Sequence, residues 1–200
     1  TDCMDYMRGL EDNAFDLAIV DPPYGIDAGN MQMGKGKGTD SRIWINKGWD
    51  NKPPPPEYFI EMYRVSKNQI IWGANYFDNM KATPCWVIWD KIQEFSGASF
   101  EMAWTSFKSP SKAFKMARCE AYVGVNKIHP TQKPVKLYEW LLKNYAKDGD
   151  RILDTHLGSG SSAIAAHYGG FDFVGCELDE DYFKAAQKRF NDETRQKAMF

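Results

Sequence analysis

Histidine and cysteine are scarce in this chain, with three of one and four of the other among 200 residues. Cys3, Cys85, Cys119 and Cys176 lie far apart and form no C-x-x-C pair, which argues against a zinc or disulfide framework and for reduced thiols in a core or site wall. No window is long or apolar enough to cross a bilayer, and no secretory signal is visible. The chain opens at Thr1 without an initiator Met, so residues ahead of it stay an open matter. A strong charge of one sign is also missing: the formal net charge is −2, too little positive charge to coat nucleic acid by electrostatics alone. No internal repeat, G-x-G-x-x-G fingerprint or P-loop lysine is present, so neither a dinucleotide nor a nucleoside triphosphate is the expected ligand.

The apolar residues, 43% of the total, are grouped in short runs. Residues 15–20, 69–72, 85–89, 151–154 and 171–176 read as buried strands, and 100–106 as a further one. Between them, helical periodicity covers residues 56–66, 134–145, 161–168 and 179–190, the last with acids in its first turn and Lys188-Arg189 in its last. Strands alternating with helices predict one α/β domain over residues 1–200, built on a mostly parallel sheet covered on both faces. Two stretches break the pattern. Residues 25–56 are rich in Gly, Asn and Lys and end in four prolines, and residues 108–130 are basic and irregular. From Lys108 to Lys136 seven basic residues face one acid, Glu120, a local patch suited to a transient nucleic-acid contact.

Two segments carry chemistry. In RILDTHLGSGSS a strand ends at Asp154, a turn with Gly158 and Gly160 follows, and a small-residue helix opens; the next strand ends at Glu177. Glycines let backbone approach a ligand, and an acid about 20 residues beyond the first strand end can bind ribose hydroxyls. A tight strand-to-helix turn needs glycine for steric reasons too, so the pattern gains weight only as a whole. The second segment is IVDPPYG, a core strand that runs into Asp21, Pro22, Pro23 and Tyr24. Two prolines end strand pairing and fix the backbone. The Asp21 carboxylate and Pro22 carbonyl can then converge on one NH₂ group, with the flat Tyr24 ring beside it.

DPPY resembles the catalytic motif of amino-directed DNA methyltransferases, LDTHLGSG their cofactor motif, and HPTQKP at 129–134 the segment ahead of it. With TDCMDYM, WVIWDK and FEMAWTS the resemblance spans nearly the whole chain, and its motif order is that of the circularly permuted β group. It implies a Rossmann-like S-adenosylmethionine-dependent methyltransferase fold with seven mostly parallel strands, the seventh lost or starting just before Thr1. It implies that Asp21 and the Pro22 carbonyl hold the target amine, Pro23 stiffens the loop and Tyr24 stacks on an extruded base. Asp154, His156, Gly158, Ser159 and Gly160 would line the cofactor's methionine side, with Ser161 and Ser162 near its carboxylate and Glu177 at the ribose. Asp2 and Cys3 would correspond to a strand end at the cofactor's adenine, and His129, Thr131, Gln132 and Lys133 would close over its amino-acid end. Residues 25–56 become a mobile DNA-facing loop, with Lys35, Lys37 and Arg42 on phosphates, and 108–130 a short target-recognition segment.

Two departures stand out. Thr155 and His156 replace the family's usual Pro-Phe, and the recognition segment is only about twenty residues, a length tied to short targets. The resulting expectation is a site-specific adenine-N6 DNA methyltransferase that uses S-adenosyl-L-methionine and no metal, in a bacterial or phage-infected cytoplasm. Cytosine-N4 methylation and an inactive nucleic-acid-binding module stay as alternatives. A homodimer and a partner restriction nuclease stay open.

Overall fold

The computed structural model describes residues 1–28, 47–78, 80–92 and 98–195. Lys35, Lys37 and Arg42 therefore lie outside the described residues. Among the described residues seven strands form one sheet: β1 (Phe15–Val20), β2 (Ser66–Trp72), β3 (Trp86–Asp90), β4 (Phe100–Thr105), β5 (Lys112–Lys115), β6 (Arg151–Asp154) and β7 (Asp172–Gly175). Their order across the sheet is β5-β3-β4-β2-β1-β6-β7. All pairs are parallel except those of β4, which runs antiparallel to β2 and β3. The helices are α1 (Cys3–Arg8), α2 (Pro56–Val65), α3 (Arg118–Ala121), α4 (Val135–Tyr145), α5 (Ser161–Gly169) and α6 (Glu180–Arg195).

The central strand β1 shows why continuous apolar runs were required. Side chains alternate across a strand, and here both faces are covered. Leu17 and Ile19 join Ile70, Trp72 and Ile152 under Leu137 and Leu141 of α4 and Ala165 of α5. Ala18 and Val20 join Ile71 and Leu153 under Phe59 and Met62 of α2 and Met7 of α1. Helix α6 covers less: only Tyr182 and Ala186 of it are buried.

Two sequence expectations are refined. The stretch expected to be irregular contains a strand, β5. Its sequence KAFK is four residues long and charged at both ends, which suits an exposed sheet edge and hides it from an apolar-run reading. Residues 2 and 3 open a helix. Asp2 caps α1, its Oδ1 accepting from Met4 N at 2.7 Å and Asp5 N at 3.3 Å, and Cys3 is the first residue of that helix.

The parallel strands β1, β2, β6 and β7 deliver Asp21, Gly73, Thr155 and Cys176 to one edge of the sheet. Open α/β sheets bind ligands at this carboxyl edge.

Candidate active site

Two cavities meet at the tip of β1. One, of about 680 Å³, is bordered by Pro22, Tyr24, Tyr76, Trp89, Phe100 and Tyr122; it is the aromatic cavity. The other, of about 560 Å³, is bordered by Pro23, Tyr58, His156, Gly158, Ser159 and Glu177; it is the glycine-turn cavity. Asp21, Trp49, Thr131, Gln132 and Lys133 border both. The successive prolines thus face different chambers, and the Asp21 carboxylate lies in the wall between them.

The DPPY turn is held from two sides. Asp50, only 3% exposed, gathers three backbone donors: Tyr24 N at 2.6 Å and Gly25 N at 3.0 Å on Oδ1, and Ala28 N at 2.8 Å on Oδ2. From the other side, Gly73 presses on the Tyr24 ring. A Cβ at Gly73 would stand 2.0 Å from Tyr24 Cε1, and its φ of +68° is also one that L side chains avoid. The Tyr24 ring stacks on Tyr76, centroids 5.1 Å apart and planes 13° apart. Its hydroxyl donates to Asp21 Oδ1 at 2.6 Å. Burial and the neighbouring Asp21 push the phenol well above its ordinary range, so it stays a donor.

Lys133 is where the sequence expectation shifts most. Its ammonium is directed at Asp21 Oδ2 and lies 3.3 Å from Glu101 Oε2; Glu101 Oε1 in turn pairs with Lys91 at 2.7 Å. An alternating chain, Asp21–Lys133–Glu101–Lys91, therefore lines the aromatic cavity, and Lys133 serves the catalytic-motif acid. Burial pushes the Glu101 carboxyl up, but the Lys133 and Lys91 ammoniums outweigh it and hold it at about 2. Glu101 is therefore ionised at neutral pH. Nothing in HPTQKP, WDK or FEM taken singly signals this joining; it depends on β4 running beside β3.

The glycine-turn cavity holds most of the expected cofactor residues, though not all at its surface. Gly158 N donates to Glu177 Oε2 at 2.8 Å and Asp179 N to Glu177 Oε1 at 2.9 Å, which fixes the acid against the turn while each oxygen keeps a second lone pair. His156 lines the wall edge-on to Tyr58, and its Nδ1 meets Thr155 Oγ1 at 2.9 Å; the Pro-Phe replacement keeps a flat ring at this place. Asp2 and Cys3 border the cavity from α1. His129 sits between Trp49 and Tyr182, with centroids 5.1 and 4.4 Å away, and Thr131 Oγ1 meets its Nδ1 at 3.1 Å. Burial pushes both histidines down to about 4, with Lys133 and Lys127 adding to the effect at His129, so both rings are neutral.

Asp154, Gly160, Ser161 and Ser162 stand behind this wall and do not border the cavity. Ser162 Oγ donates to Asp154 Oδ2 at 2.6 Å and His156 N to Oδ1 at 3.0 Å, which ties the strand end to the turn and to α5. Ser161 Oγ donates to the Lys133 carbonyl at 2.7 Å and accepts from Arg189 at 2.9 Å. Gly160, at φ +74°, packs on Ala186 of α6. Over the cavity mouth Lys47 bonds Asp179 at 2.8 Å and Asp181 at 2.7 Å. Among the described residues no group of His, Cys, Asp and Glu has the arrangement of a metal site.

Residues 75–188, more than half of the chain, match the family model described as DNA methylase. The chain belongs to this family. The methylase is 30% identical to the type II methyltransferase M2.DpnII of Streptococcus pneumoniae over 153 residues, which are 76% of this chain and 52% of the relative, so it spans about half the length of that protein. Among solved structures, the M1.HpyAVI–SAM complex superposes with a TM-score of 0.60 at 19% identity, covering 94% of this chain and 96% of that one. The cytosine-N4-specific PvuII DNA methyltransferase gives 0.62 at 12% identity, covering 95% and 84%. At such identities the likeness is one of fold: a seven-stranded, mostly parallel Rossmann-like sheet.

Proposed function

We propose that the methylase transfers the methyl group of S-adenosyl-L-methionine to the exocyclic N6 amine of an adenine turned out of DNA. The observation that carries the reading is the placement of Asp21 on the shared wall of two cavities. One is lined by flat aromatic rings suited to a base, the other by the glycine turn, His156 and Glu177 suited to a nucleoside. The residues fit that cofactor. Glu177 has lone pairs left for ribose hydroxyls, Asp2 and Cys3 border the same chamber, and His156 and Tyr58 offer flat apolar contact. When bound, S-adenosylmethionine supplies the electrophilic methyl group.

The chain's own contribution is alignment and electrostatics. An aromatic amine is a poor nucleophile because its lone pair is drawn into the ring. Asp21 and the Pro22 carbonyl, fixed by two prolines and by Asp50, accept from its N–H bonds and favour positive charge on the nitrogen as it attacks. The amine is out of reach in a duplex, so extrusion costs a few kcal/mol, and stacking in the aromatic cavity offsets it. A carboxylate at position 21 and a cavity wide enough for a purine favour adenine.

The test is methyl transfer from labelled cofactor to unmethylated bacterial DNA, followed by nucleoside mass spectrometry. N6-methyladenine is the expected product, and Asp21→Ala lowers turnover at least about a hundredfold. N4-methylcytosine moves the assignment to the smaller base. Cofactor binding without transfer to any DNA refutes the catalytic reading.

A further inference from the structure

The carboxylate on which this function depends already has a donor on each oxygen. Tyr24 Oη donates to Asp21 Oδ1 at 2.6 Å, and the Lys133 ammonium donates to Oδ2. An ammonium and an exocyclic amine offer the same thing to a carboxylate, an N–H bond. Lys133 thus fills the place that a target amine needs. It also has somewhere else to go. Glu101 Oε2 is 3.3 Å from the same Nζ, and Glu101 is oriented from its far side by Lys91 at 2.7 Å. The ammonium is flanked by aromatic rings, with Nζ 5.3 Å from the Trp72 centroid and 5.8 Å from that of Tyr24.

We infer that Lys133 is a positioning residue that holds Asp21 until a base arrives and then shifts its ion pair to Glu101, leaving Asp21 Oδ2 to the target amine. The inference rests on the methyltransferase reading and adds a step to it. Two physical reasons favour the exchange. A half-buried carboxylate with only a neutral hydroxyl donor is poorly compensated, so Asp21 gains from a cationic donor whenever no amine is present. An ammonium left on Asp21 during transfer would oppose the positive charge that grows on the attacking nitrogen. Passing to Glu101 weakens that opposition without leaving a buried cation unpaired, since the lysine has a carboxylate on either side. No covalent bond changes and no proton need move. The Lys91–Glu101 pair then has a role of its own: it keeps the receiving carboxylate ionised and aimed.

The experiment compares wild type, Glu101→Gln, Glu101→Asp, Lys133→Met and the double variant Glu101→Gln/Lys133→Met. Steady-state methyl transfer to DNA is followed, and cofactor affinity is measured by calorimetry as a control on folding. With the receiving carboxylate gone, Lys133 stays on Asp21, so Glu101→Gln lowers kcat by about tenfold or more at unchanged cofactor Kd. Glu101→Asp restores most of the loss. In the double variant nothing needs to be received, and turnover rises at least about fivefold above Glu101→Gln alone. A merely structural ion-pair network lowers Tm and turnover together in Glu101→Gln and makes Lys133→Met equally damaging; that pattern, or a double variant no faster than Glu101→Gln, overturns the inference. A wild-type protein that binds cofactor but methylates no DNA refutes the underlying reading instead.

Discussion

Asp50 offers a severe test of how the DPPY turn is held, because no resemblance points to it. Its two oxygens accept from Tyr24, Gly25 and Ala28 at 2.6, 3.0 and 2.8 Å, and it is only 3% exposed. Replacing it by alanine leaves three backbone donors in a space too small for good hydration. Each buried donor without a partner costs about 1–3 kcal/mol. Allowing for partial access of water, roughly 3–5 kcal/mol is the expected total, or on the order of 10 °C in Tm for a domain of this size. Asp50→Asn is the finer probe. One amide oxygen can still serve Tyr24 and Gly25, but the NH₂ then faces Ala28 N, donor against donor, at a cost of about 1–3 kcal/mol. Function should suffer beyond stability, since a displacement of about 1 Å of aligned groups can cost a hundredfold in rate. Thermal melts give the first quantity and methyl transfer at a temperature where both proteins are folded gives the second. Cofactor affinity should change little, because Asp50 does not border the glycine-turn cavity. Wild-type stability and turnover in Asp50→Ala would refute the assignment.

Two further predictions concern the same edge of the sheet. Gly73→Ala places a methyl group 2.0 Å from a Tyr24 ring carbon at φ +68°, so the ring must move and turnover drops about a hundredfold, while circular dichroism stays native; retained activity in a folded variant contradicts the packing described. Stability should depend on pH through the buried rings. His129 and His156, with ordinary values of 6.5 lowered to about 4, bind protons in that window only when unfolded, whereas Asp154, raised from 3.8 to about 7 by burial, binds one there only when folded. The histidine contribution is therefore present above 6.5 and lost as pH falls towards 4, and the Asp154 contribution runs the other way, being lost as pH rises towards 7. The net difference of one proton gives about 1.4 kcal/mol per pH unit, or roughly 3 kcal/mol between pH 6.5 and 4. Denaturant unfolding across that range measures it, with Asp154→Asn steepening the slope and a flat profile refuting it.

What could be read in advance follows from how far apart in sequence the interacting groups lie. Strands β1 and β6 were legible because burial on both faces demands unbroken apolar runs, and the order of acid, glycine turn and second acid is local. Asp50 was not legible: its three partners lie at residues 24, 25 and 28, across a stretch rich in glycine and lysine where no periodicity constrains pairing. Nor was β5, whose only half-buried apolar side chain, Phe114, is flanked by an exposed alanine and lysines.

The Asp21–Lys133–Glu101–Lys91 chain shows the same limit more sharply. Its members come from the β1 tip, the HPTQKP segment, β4 and the end of β3, and within their own segments Glu101 and Lys91 read as ordinary surface charges. They meet because β4 is the one antiparallel strand. Its reversal brings the amino end of β4, and Glu101 with it, to the edge where parallel strands present their carboxyl ends. Asp21 sits there after β1, and Lys91 follows β3. A parallel β4 in the same slot would point Glu101 to the opposite edge of the sheet and leave Lys133 with Asp21 alone. Strand polarity, which no local pattern encodes, therefore decides whether Lys133 has a second carboxylate beside Asp21.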